Sequence, residues 1–67
     1  MRYKMKLKKK ILLAEAGNII DTLQDAIDLG LATDEEIEKL KEWKVYRIQL
    51  NRIDTSTAPD IEWPVKP

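Results

Sequence analysis

A helix stop and a helix start fall within six residues, Asp28-Leu29-Gly30-Leu31-Ala32-Thr33, and this constrains the chain more than any other feature. Gly30 can take the left-handed conformation of a helix C-terminal cap without the Cβ clash that other residues meet there. Thr33, with Glu36 three residues on, has the form of a capping box. The hydroxyl accepts from the Glu36 amide while the carboxylate reaches back to the Thr33 amide. Asp34, Glu35 and Glu36 also suit the positive end of a helix. So short a connection sends a second helix back along the first, and the sequence predicts an all-α fold, an antiparallel two-helix hairpin.

The flanking patterns agree. Before the turn, Leu12, Ala16, Ile19, Leu23 and Ala26 step by four and three, with Leu13, Ile20 and Ile27 in a second row. Met5, one heptad before Leu12, extends the stripe, giving a helix over about residues 3–29. Gly17 interrupts it at a cost of about 1 kcal/mol relative to Ala, which marks a tolerated glycine, a kink or a close helix contact. After the turn, a helix over about 34–52 carries Ile37, Leu40, Trp43, Tyr46 or Arg47, Leu50 and Ile53. This second stripe drifts around its helix, so its later turns need a cover other than the first helix.

The segment 54–67 is the available cover. Its prolines forbid continued helix and favour extended backbone. Ile61, Trp63 and Val65 alternate with Asp60, Glu62 and Lys66, as an extended segment does with one face on a surface. We expect the tail to fold back with Ile61 and Trp63 against the side of Trp43, Tyr46, Arg47 and Leu50. These six residues are the candidate partner or tail-docking surface, and residues 1–67 read as a single helical domain.

Composition narrows the function. The 67 residues contain no Cys and no His, so thiolate nucleophiles, imidazole bases and the usual zinc sites are excluded. No catalytic, cofactor-binding or metal-ligating residue is assigned, and no cofactor or small-molecule substrate is expected. Asp21 and Asp25 lie one turn apart, but a hairpin supplies no cleft in which paired carboxylates could work. Thr55 and Ser56 lack a nearby base. Together with Asp54 they read as hydrogen bonding at a helix exit. The acids from Asp28 to Glu38 lack the spacing of a calcium loop. No segment suits a membrane, and the run Ile11-Leu12-Leu13 behind the N-terminal lysines is shorter than the roughly 7–15 apolar residues of a secretion signal.

Charge is divided along the chain. Residues 1–13 hold six basic and no acidic side chains, residues 14–38 eight acidic and no basic ones, and residues 39–53 five basic ones against Glu42. Folding back gathers Lys4 to Lys10 with Lys44, Arg47 and Arg52 at the open end and the acids at the turn. Like charges meet at both poles, and the lysines sit badly at the first helix's positive terminus. Two antiparallel copies would set basic pole against acidic pole, so a homodimer or larger homo-oligomer is expected. The lysines could also contact nucleic acid. The zero net charge, the lack of a recognition-helix pattern and the near absence of aromatic residues in the patch argue against that partner.

One stretch is more particular than these patterns: Trp43-Lys44-Val45-Tyr46-Arg47, Leu50-Asn51-Arg52-Ile53-Asp54-Thr55-Ser56 and Ala58-Pro59-Asp60-Ile61-Glu62-Trp63-Pro64. With Leu23 to Gly30 and Ala32 to Glu36 upstream, it resembles the C-terminal end of the tail fibre assembly proteins of tailed bacteriophages and prophages, over roughly residues 11–67. The resemblance implies a chaperone or accessory role with no reaction involved. Its partner would be a tail fibre protein, helped to fold and trimerise in the cytoplasm of the bacterial host. Some members of that family stay on the fibre. Family members usually carry an N-terminal domain before this part, so the resemblance also implies an isolated C-terminal domain or a shortened prophage gene. A shortened product could persist as a purely structural, self-associating helical module.

Overall fold

The computed structural model describes residues 2–57 and 61–67, with side chains from Lys6 to Ser56 and from Ile61 to Pro67. The expected placements of Met5 on the apolar stripe, of Lys4 at the basic pole and of Pro59 and Asp60 in the tail fall outside the described residues or side chains. Two α-helices, α1 (Arg2–Asp28) and α2 (Asp34–Asn51), are followed by a single 3₁₀ turn, η1 (Thr55–Thr57). The molecule measures 44 × 15 × 13 Å, with a radius of gyration of 13.9 Å. A compact globule of this length would have a radius of gyration of about 11 Å. The hairpin is therefore a rod, and its core is a thin seam.

The turn is built as the local sequence dictates. Gly30 has φ 71°, in the left-handed region. The Gly30 amide donates to the Ile27 carbonyl at 3.0 Å, and the Leu31 amide donates to the Ala26 carbonyl at 2.7 Å. These two bonds form a Schellman motif and satisfy carbonyls that the end of α1 would leave open. At the start of α2, the Glu36 amide donates to the Thr33 hydroxyl at 3.2 Å, and the Thr33 amide donates to the Glu36 carboxylate at 2.9 Å. The capping box is complete on both sides.

The helices are unequal in their own favour. α2 has three acids in its first turn, whereas α1 has no acid in its first turn and no base in its last. The macrodipole of α1 is left uncompensated, so that helix depends on packing. Ala16, Tyr46 and Leu50 form the centre of the core, with Leu12, Leu13, Trp43, Ile53 and Trp63 packed against them. Ile20 and Leu40 are also buried. Ile37, expected on the stripe, stays 37% exposed, because the buried line of α2 runs through Leu40 and drifts toward Tyr46 and Leu50. Gly17 makes no close helix contact: a Cβ built there would meet no other group within 4 Å. α1 runs through it from Arg2 to Asp28, and of its three readings the tolerated glycine fits best.

Candidate functional site

The residues proposed as a docking surface separate into two layers. Tyr46 is 2% exposed and Leu50 0%, so both are enclosed in the hairpin. Trp43, Arg47, Ile61 and Trp63 are half-buried. Trp43 lies edge-on to Tyr46 with ring centroids 5.5 Å apart and planes at 90°, the arrangement in which a positive ring edge meets a negative ring face. Trp43 and Trp63 pack against the cluster that holds Tyr46 and Leu50.

Residues 61–67 carry no regular secondary structure. Trp63 packs against the Ala16, Tyr46 and Leu50 centre. The Lys8 ammonium stands 4.6 Å from the Trp63 ring centroid, a cation–π geometry. Near the chain's end, Lys66 donates to the Glu15 carboxylate at 2.6 Å, and this contact raises the Lys66 pKa above its ordinary value. Both side chains remain substantially exposed, so the pair guides placement more than it stabilises. Val65 departs from the alternation expected of the tail: it is 89% exposed.

The basic open end is better compensated than the sequence suggests. Lys9 donates to the Ile53 carbonyl at 2.8 Å and reaches that of Asn51 at 3.5 Å. A cation of α1 thus sits at the negative terminus of α2, where carbonyls lack helical partners. Lys8 and Lys9 are both engaged within the fold, which the linear charge count could not reveal. Asp54 accepts from the Ser56 hydroxyl at 2.6 Å and from the Ser56 amide at 2.9 Å. Its carboxyl is held below the ordinary value, first by the hydroxyl bond and then by the amide bond. This is the hydrogen bonding expected at the exit of α2.

Among the described residues, no group of three or more Cys, His, Asp or Glu side chains is placed to hold a metal ion. No helix among them is long and apolar enough to cross a membrane. The grooves are shallow: one beside the tail is lined by Gln49, Ile53, Trp63 and Val65, and another by Val45, Tyr46, Val65 and Pro67.

These features define a class first: a small all-α hairpin whose surface offers aromatic and aliphatic contacts with charges divided between its ends. A family model described as "Caudovirales tail fibre assembly protein, lambda gpK" matches residues 2–67, and the chain belongs to that family. It is 60% identical over 60 residues to a "Probable tail fiber assembly protein" of Acyrthosiphon pisum secondary endosymbiont phage 1, covering 90% of this chain and 39% of that protein. It is 59% identical over 59 residues to the "Tail fiber assembly protein" of Escherichia phage lambda, covering 88% of this chain and 30% of the relative. To the "Prophage tail fiber assembly protein homolog TfaR" of Escherichia coli K12 it is 58% identical over 59 residues, covering 88% of this chain and 31% of that protein. The chain thus spans between 30% and 39% of the length of these relatives. No solved structure matches it.

Proposed function

We propose that this chain is an accessory or chaperone element in phage tail fibre assembly, acting by protein–protein contact with a tail fibre protein. The observation that carries this reading is the family match over residues 2–67. The half-buried aromatic and apolar groups beside the tail supply the contact chemistry, since aromatic side chains and arginine are favoured at interface centres. In this reading residues 1–67 act as one helical domain, with the extended tail packed on the hairpin as its third element. The work is done in the cytoplasm of the bacterial host, and the product can remain on the assembled fibre. Co-expression with the cognate fibre tests it: more soluble fibre trimer and co-purification are expected, and neither appearing would end the reading.

A second reading, a self-associating helical module with no fibre client, is favoured by apolar side chains left on the outer surface. Val45 and Ile48 of α2 are exposed, and Val45 shares a groove with the exposed Val65 of the tail. Self-association is compatible with fibre contact, and sedimentation separates them: a homo-oligomer that fails to bind fibre supports the second reading alone. Nucleic acid is the weakest partner, because Lys8 and Lys9 already serve contacts within the fold.

A further inference from the structure

We propose that a second copy of this chain docks antiparallel on the outer face of α2, with a two-fold axis passing beside Val45 and Val65. This rests on the self-association reading and names its surface. Glu38, Val45 and Arg52 recur every seven residues, so they lie along one face of α2. Arg52 keeps right-handed helical backbone as the C-cap, with φ −84° and ψ −9°, and so continues the row. Each charged residue stands about 10.5 Å from Val45 along the axis at 1.5 Å rise per residue. The row therefore reads acid, apolar, base with equal arms.

That symmetry selects the occupant. An antiparallel copy rotated about Val45 places its Arg52 opposite Glu38 and its Glu38 opposite Arg52, the same contact made twice, as an isologous interface requires. A parallel copy in register would place like on like. At the middle of the face, Val45 is 53% exposed and lines a groove with Val65 and Pro67 of the tail, flanked by Glu42 and Gln49. Glu38 pairs with Lys41 of its own helix at 3.3 Å, with both side chains 69% exposed, so it can exchange partners at little cost. The valines supply contact area, and the paired charges set register and direction.

The experiment is sedimentation of the 67-residue chain over a wide concentration range, with circular dichroism to confirm that each variant keeps its helices. The parent is expected to dimerise reversibly. Val45→Asp, or Val65→Asp outside any helix, is expected to raise the dimer dissociation constant at least about tenfold. Glu38→Lys and Arg52→Glu should each weaken the dimer several-fold alone, because both symmetry-related contacts become repulsive. An equimolar mixture of these two variants should recover near-parent affinity, since the heterodimer restores opposite charges at both contacts. A parent that stays monomeric to about 1 mM overturns the proposal. So does a dimer indifferent to the valine changes, or a mixture no tighter than its components. Fibre co-purification is read separately, so a failed dimer leaves the fibre reading standing.

Discussion

The two ends of the hairpin are held by different physics. At the turn, near neighbours between Asp25 and Ile37 are joined through backbone hydrogen bonds and one short side-chain exchange, while Leu29 and Leu31 stay largely in water. At the open end, contacts join residues more than forty positions apart: Lys9 with the Ile53 carbonyl, Lys8 with Trp63, and Lys66 with Glu15. The turn is thus specified locally and can form early, since closing a short loop is fast. The open end forms only after α1, α2 and the tail have met. Tyr46 and Leu50, in the last turns of α2, form the core shared by α1, α2 and the tail on the side of the open end.

The largest effect is therefore expected in that shared seam. Leu50 is fully enclosed, and Leu50→Ala should cost about 3 kcal/mol. A chain this small has a total stability of only about 3–5 kcal/mol, so the variant should be largely unfolded near room temperature. Thermal and urea unfolding followed by circular dichroism measure this. A loss below about 1 kcal/mol would mean that this cluster is not what holds α1, α2 and the tail together.

Trp63→Ala tests the open end alone. A fully buried Trp costs about 3–5 kcal/mol when truncated, and the half-buried Trp63 should cost about 2 kcal/mol. Amide exchange should speed up in the last turn of α2 and around Lys8 and Lys9, while the Schellman and capping-box amides keep their protection relative to global unfolding. Equal loosening at both ends would show that the hairpin opens as one unit and would erase the distinction.

The same contrast explains what the sequence could reveal. Gly30, Thr33 and Glu36 carry their geometry within seven residues, so the turn and the two-helix, all-α fold were legible from residue type and spacing. Tail signature residues from Trp43 to Pro64 made the family legible as well. Lys9 could not be read as a cap for α2, because its partner carbonyl lies 44 residues away and a lysine looks the same whether solvated or bound. The alternation of the tail did not reveal the exposure of Val65, because alternation says nothing of how far along the segment its apolar face meets a surface.

At the turn the expected losses are smaller and separable. Gly30→Ala forces a Cβ into a φ of 71°, costing about 1–2 kcal/mol, although the space around it is open. Thr33→Ala removes one half of the capping box and should cost about 1 kcal/mol. Thr33→Ser should recover most of that loss, since the hydroxyl is the group that accepts the Glu36 amide. Chemical unfolding of the three variants ranks them. If Gly30→Ala were neutral, the Schellman geometry would not be what stops α1.

The smallest effect lies at the exit of α2 and has a defined sign. Asp54 is ionised while it accepts both Ser56 bonds, and its folded pKa lies below its unfolded value. A depressed carboxyl stabilises the fold above the unfolded pKa and loses that contribution as pH falls through the folded one. The loss belongs to the acid range below the ordinary aspartate value, so stability near neutral pH is unaffected by this group's titration. Carboxyl carbon shifts followed by NMR should give a midpoint for Asp54 below the ordinary aspartate value. Asp54→Asn keeps an oxygen for the Ser56 donors but removes the charge, so its melting temperature should fall less on acidification than the parent's. An Asp54 midpoint at or above the ordinary aspartate value would mean that the Ser56 bonds do not favour the charged form. The exit of α2 would then be held by Lys9 at the Ile53 carbonyl, without help from its own side chains.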